Sequence, residues 1–374
     1  MRAAFCDLFR CRLAEKEKKI MRIPGFIRDT DTLGFVAPSF GCNMEPYKSS
    51  FENALLKLRA KGHGIELGPN VYEGSGTGIS ASPESCGREL TEGYLSDKSR
   101  ALISCGGGEL MCEILDYVDF ERIREAPPKW YMGYSDNTNF TFLLNTLCDT
   151  AAVYGPCAPA FGMEPWHPAI EDAYALLRGE KNAFEGYPLF ETESLKDAEH
   201  PLAPYHVTQP GKIRLYTPDG PGGEPGRLRL CEGGFTQLGG RLIGGCMDIL
   251  VTLLGTKYDR VRAFNERYAD DGILWFLESC DLNVFGIRRA LWQMKHAGWF
   301  EHVKGFLIGR PYCHGQELMG LDQYRAVTEA LAEYGVPVLM DLDIGHLPPM
   351  VPVVSGACAR VSLSGERFGI EYRL

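Results

Sequence analysis

Three features of this 374-residue chain combine residue types and spacing that suit chemistry. Glu278 closes the apolar run Ile273-Leu274-Trp275-Phe276-Leu277, and His346 follows Gly345 in the loop after the apolar run 337–340. A carboxylate and a histidine at two strand ends can form a base–orienter pair, in which the carboxylate fixes the imidazole tautomer and stabilises its cation. The third feature is the triple glycine at 106–108, set between a buried apolar run (101–105) and a helix-periodic stretch that starts near Glu109. Glycines there permit a sharp turn and leave backbone N–H groups free at a helix start. Such a corner can hold an anion or a developing oxyanion, or lift a nucleophile out of a sheet. Yet no hydroxyl stands in it, since Glu109, Leu110, Met111 and Cys112 come next. Ser135 and Asp136, in Gly-Tyr-Ser-Asp-Asn-Thr, read as caps of the helix that follows. His314 is a weaker candidate for the rim of a site.

The elements that must position these residues alternate between strand and helix. Strands are expected at 32–37, 65–67, 101–105 and 130–133, with helices at 47–61, 83–95, from 109, and from the Ser-Asp-Asn-Thr turn to Cys148. Short connections between alternating elements indicate an α/β fold with an open parallel sheet. In such sheets ligands bind beyond the carboxyl ends of the strands, where the glycine turn and the Ser135 turn both fall. From about residue 158 to 232 the pattern weakens, and 217–226 is rich in proline and glycine, which suggests a connector with an inserted hairpin or lid. A second unit then follows, with strands expected at 241–244, 273–277, 305–309, 337–340, 357–363 and 367–372. Helices are expected at 246–254, 285–297 and 321–333. The chain therefore divides into an extension (1–20), an N-terminal α/β domain (21–170), a connector (171–234) and a C-terminal domain (235–374) carrying Glu278 and His346.

A net charge of −10 argues against nucleic acid or an anionic membrane as partner. No apolar run approaches the length of a spanning helix. Residues 1–20 are cationic and amphipathic but lack the cleavage site and long apolar core of a secretory signal, and Met21 is an alternative start. The thirteen cysteines are scattered, with no Cys-x-x-Cys pair. They read as free thiols in a reducing cytoplasm, so neither zinc nor any other metal or cofactor is expected.

Taken together, several motifs resemble the LD-carboxypeptidase family of serine peptidases, which includes the microcin C immunity peptidases. They are Gly107-Gly108 with Ile-Leu-Asp-Tyr-Val-Asp-Phe after it, Met-Gly-Tyr-Ser-Asp-Asn-Thr at 132–138, and Tyr-Gly-Pro at 154–156. In the second half they are the segments 239–256, 276–279, 306–311 and 341–359. The resemblance runs from about Leu33 to the C-terminus. It implies an N-terminal α/β domain and a smaller C-terminal α/β domain with the site between them, in a homodimer. It also implies a Ser–Glu–His triad in that chain order, with Glu278 and His346 as its second and third members. The implied substrates are small: murein peptides cut between an L- or meso-centre and a terminal D-residue, or, in the immunity branch, a peptidyl-nucleotide.

Aligning a Gly-Gly-x-x-Ser pattern on the glycine turn puts Met111 in the serine column, and a thioether cannot attack a carbonyl. Three readings stay open. The fold and cleft persist without serine catalysis, as a peptide-binding or sensing protein. Alternatively, Cys112 replaces the serine, or Glu109 or Glu278 activates water with His346. The expected geometry has Met111 at the elbow facing His346, Glu278 within hydrogen-bond reach of His346, and the amides of residues 106–110 cradling an oxyanion. Gly107, Gly108, Glu109, Leu110, Cys112, Ser135 and Asp136 would line this substrate and oxyanion site. The expected function is that of a hydrolase acting on a small peptide or amide.

Overall fold

The computed structural model describes residues 20–219 and 226–374. The amphipathic extension lies outside them except for Ile20, as does the centre of the proline- and glycine-rich tract.

Five short apolar runs build the first sheet: β1 (Thr32–Val36), β2 (Gly64–Leu67), β3 (Ser99–Ser104), β4 (Trp130–Gly133) and β5 (Ala152–Tyr154). They run parallel in the spatial order β5-β4-β3-β1-β2. Parallel neighbours need crossovers, supplied here mainly by the helices Tyr47–Ala60, Pro83–Leu95 and Thr138–Cys148. The second of these starts as its sequence dictates: Ser82 Oγ accepts from the Ser85 amide at 3.3 Å, and Pro83 occupies the first turn. The order of the strands reverses between β1 and β3. Their outgoing loops part there and open a crevice above the sheet, the usual ligand position in doubly wound folds.

The crossover from β3 to β4 is not the single helix expected from Glu109. It is a 3₁₀ segment, Met111–Tyr117, followed by a short α-helix, Phe120–Glu125. Asp119 starts that second helix by accepting from the Arg122 amide at 3.0 Å, which ends the first segment.

Among the described residues the second sheet has nine strands. Its centre is parallel: Phe235–Cys246, Ile273–Glu278, Val303–Gly309 and Val338–Leu342. The first of these is far longer than the expected 241–244. Its second half pairs with Ile273–Glu278 and its first half with the antiparallel strand Cys358–Ser364. The connector feeds both edges of this sheet, with Ala183–Glu185 at one side and the Arg214–Pro218/Leu228–Leu230 hairpin at the other.

The C-terminal half also returns to the first sheet. Val353–Ser355 pairs antiparallel with β5, and Asn145 Nδ2 donates to the carbonyls of Thr150 (2.8 Å) and Ser355 (3.2 Å). Phe142, from the first layer, stacks on Trp299 at 5.5 Å, and Trp299 stacks on Trp275 of the second sheet at 5.8 Å. The two sheets thus share one continuous apolar core. Among the described residues no helix is long and apolar enough to cross a membrane.

Candidate functional site

β4 ends at Gly133, where a Cβ would fall 2.7 Å from the Asn137 side chain. The chain then turns sharply, and Ser135 adopts φ 64°, a left-handed conformation uncommon outside glycine. One 3₁₀ turn, Ser135–Asn137, leads into the helix Thr138–Cys148. A strand–turn–helix this tight lifts the residue at its apex above the sheet. The Ser135 amide is held by Tyr154 Oη at 3.1 Å.

Glu278 ends its strand with 1% exposure. Tyr154 Oη donates to Glu278 Oε1 at 2.5 Å, so one phenol ties the carboxylate to the serine backbone. The loop carrying His346 reaches Glu278 through Gly345, which has φ 105° and where a Cβ would lie 2.4 Å from Glu278 Oε2. Only glycine lets the backbone come that close in that conformation. His346 Nδ1 lies 2.8 Å from Glu278 Oε2, and Nε2 lies 2.9 Å from Ser135 Oγ. The Tyr134 ring packs beside the imidazole at a centroid distance of 5.1 Å. The expected Glu278–His346 contact is present, and the group facing it is Ser135.

Burial alone would lower the pKa of His346. The Glu278 carboxylate and the Cys280 side chain beside it together outweigh that effect and hold the imidazole well above its ordinary value. With Glu278 on Nδ1–H, Nε2 is the nitrogen free to take a proton from Ser135 Oγ.

The glycine turn abuts the serine: a Cβ on Gly107 would lie 3.1 Å from Ser135 Oγ. Its position is fixed by the Phe40 amide donating to Gly107 O (2.8 Å) and by Asn137 Nδ2 donating to Gly106 O (2.8 Å). The cradle expected over 106–110 is shorter than that. The amides of Glu109 and Leu110 both donate to Gly78 O, at 3.1 and 3.4 Å, which leaves the glycines as the part beside Ser135.

Met111 does not face His346. It is fully buried in an apolar cluster with Val36, Leu90, Leu102, Ile114 and Tyr131. The periodic stripe that suggested a helix at the site's edge is the face this segment turns into the core. Cys112 is half-buried and burial pushes its thiol pKa up. The ring nitrogens of His346 are engaged by Glu278 and by Ser135, which takes the place expected for Met111 or Cys112. Glu109 is exposed, and Leu110 packs on the Met111 cluster.

Ser135 and Asp136 are not the caps their neighbourhood suggested, and neither of the following helical turns has a side-chain cap. Asp136 is 1% exposed. Its Oδ2 accepts from Ser39 Oγ (2.6 Å) and the Met111 amide (2.9 Å), and its Oδ1 accepts from Asn139 Nδ2 (3.0 Å). Burial raises its pKa to about 6. His314 lies 3.9 Å from Asp341 and packs against Phe190, sharing no partner with His346. Ser39 carried no signal in the sequence, and Tyr154 stood in the Tyr-Gly-Pro motif without an assigned role. Ser135 did: Gly133-Tyr134-Ser135 is the first half of the Gly-x-Ser-x-Gly elbow, with Asn137 in place of the second glycine.

A doubly wound sheet carrying an elbow serine, set against a histidine–glutamate pair from a second sheet, defines a two-domain α/β protein. The chain belongs to the LD-carboxypeptidase family: the N-terminal domain of that family matches residues 33–155 and its C-terminal domain matches 239–361. A Vibrio cholerae protein named as a carboxypeptidase is 26% identical over 92% of this chain and 96% of its own length. A Bacillus subtilis protein named as a murein peptide carboxypeptidase is 25% identical over 93% of this chain and 94% of its own. Among solved structures, the microcin C7 self immunity protein superposes with a TM-score of 0.76 at 20% identity, covering 94% of this chain and 98% of that one. A related protein from Streptococcus pneumoniae, solved with AMP, superposes with a TM-score of 0.70 at 17% identity, covering 92% and 99%.

Proposed function

We propose that this protein is a serine hydrolase of the LD-carboxypeptidase type, with Ser135 as nucleophile, His346 as general base and Glu278 as its orienter. The observation that carries the reading is His346 Nε2 at 2.9 Å from Ser135 Oγ while Nδ1 is held by Glu278 at 2.8 Å. Ser135 Oγ attacks the substrate carbonyl as its proton passes to Nε2, and His346 then returns that proton to the leaving group. The amide of Asp136, which follows the nucleophile, and those of Gly107 and Gly108 are the candidates to receive the oxyanion. Tyr154 keeps serine and glutamate in register.

The substrate is a small peptide or peptide-like amide. Two observations frame its class: the Bacillus relative is named for murein peptides, and the microcin immunity protein has been solved with glutamyl sulfamoyl guanosine. The protein acts in the cytoplasm as a homodimer, a state that light scattering would test. The rival reading of a non-catalytic binder rested on Met111 standing at the nucleophile position, and its burial removes that support.

Mass spectrometry of an L,D-tetrapeptide and of an aminoacyl-sulfamoyl nucleoside, each incubated with purified protein, tests the proposal. Cleavage of either is expected, with kcat lowered roughly a million-fold in Ser135→Ala. Tight binding of both without any cleavage would restore the binder reading.

A further inference from the structure

The triad has a fourth neighbour that the proposed reaction does not use. Cys246 ends the strand Phe235–Cys246 and is in register with Glu278 across the parallel pairing. Its Sγ, a Glu278 carboxylate oxygen and a His346 ring nitrogen all lie within 4.8 Å of one another. Thiolate, carboxylate and imidazole are the donor set of a zinc-like cation, and the spread is within small side-chain movement of a shared centre. The surroundings favour a cation as well. Asp248 Oδ2 lies 3.3 Å from Cys246 Sγ, so two carboxylates flank the thiol. Burial and these two carboxylates keep the thiol protonated without a metal, and the same negative field attracts a dication. Tyr154 on Glu278 Oε1 supplies outer support for the carboxylate ligand. The partly exposed edge of His346 gives entry, its side chain being 11% accessible.

We propose that Cys246, Glu278 and His346 form an inhibitory site for a thiophilic divalent cation of the zinc type. This rests on the triad reading above. On binding, Cys246 loses its S–H proton to solvent; neutral His346 gives up its Nδ1 proton and takes one back on Nε2, with no net change in its proton count, and the cation takes the vacated positions. Neutral imidazole metallated at Nδ1 has no lone pair on Nε2, because that nitrogen must then carry the remaining proton. His346 thus becomes a donor towards Ser135 Oγ and no longer accepts its proton, and Glu278 is drawn from orienting the ring to ligating the metal. Inhibition follows from the tautomer, with no change of fold.

The test uses the full-length protein with cobalt(II) as a spectroscopic probe and zinc(II) as inhibitor. Cobalt is expected to give a thiolate-to-metal charge-transfer band at one equivalent, lost in Cys246→Ala and kept in Cys280→Ala. Zinc is expected to suppress cleavage, measured against each variant's own metal-free rate. EDTA should restore it, and the inhibiting concentration should rise at least roughly ten-fold in Cys246→Ala. Cys246→Ser, which keeps size and polarity, serves if the alanine variant does not fold. A cobalt band that persists in both Cys246 variants, or zinc inhibition unchanged by them, would overturn the site. If the metal-free protein cleaves nothing, the triad reading fails, while the cobalt spectrum still decides whether the cluster binds metal.

Discussion

At the scale of residues, Glu278 and His346 are worth more together than apart. Burial pulls the imidazole pKa down, and the carboxylate, with Cys280, raises it well above the ordinary 6.5. Only neutral His346 can accept the serine proton, so kcat/KM should rise with pH through that raised pKa. In Glu278→Gln the carboxylate's share of the rise is gone while burial and Cys280 remain, so the limb should move to lower pH. The rate should also fall about ten-thousand-fold, as when a triad loses its orienting carboxylate. A pH profile of both proteins checks this, and an unmoved limb would mean that His346 does not titrate in the rate. Asp136 acts through others. It bonds Ser39, which lies against Gly108 in space, and the Met111 amide, three residues beyond the glycine turn in the chain. Asp136→Ala should therefore lower kcat more than it raises KM, because the turn proposed to receive the oxyanion loosens while the cleft remains. An equal loss in both would assign Asp136 to binding.

Glu278 and His346 were legible because each closes or follows an apolar strand, a position that exposes polar groups at a sheet's rim. Ser135 was legible in type but not in role. Serine before aspartate and asparagine at a helix start has the composition of a cap, and the left-handed φ that makes it an elbow depends on how Gly133 and Asn137 pack. Met111 misled because counting from the glycines gives a register, while burial decides which residue faces the cleft.

At the scale of elements, the expected strands and most helices of the first unit carried over with boundaries moved by a residue or two, except the crossover after β3, which is a 3₁₀ segment and a short helix, and β5, which was not expected. Elements too short to carry a period did not, and Val353–Ser355 is the telling case. Three residues of extended chain show nothing in sequence, yet they fasten the C-terminal half to the first sheet. Asn145 is the clamp, and its amide satisfies two buried carbonyls. Asn145→Ala should cost about 1–3 kcal/mol, the penalty of leaving those groups unpaired, read as a lower urea midpoint at unchanged slope. A midpoint equal to the parent's would show that the strand docks by its apolar side chains alone.

At the scale of the whole molecule, the site exists because two sheets share one core. The first sheet presents Ser135 at the carboxyl end of β4, and the second brings Glu278 and His346 to it from the ends of two of its own strands. Sequence alternation showed two α/β units, but not that the region read as a connector edges the second sheet on both sides. The central claim is that these units meet to activate Ser135. Reaction with a fluorophosphonate, followed by intact mass and peptide mapping, tests it most directly. A single adduct on Ser135 is expected, absent in Ser135→Ala and strongly reduced in His346→Ala. An adduct mapped to Ser104 or any other residue, or labelling undiminished in Ser135→Ala, would contradict it.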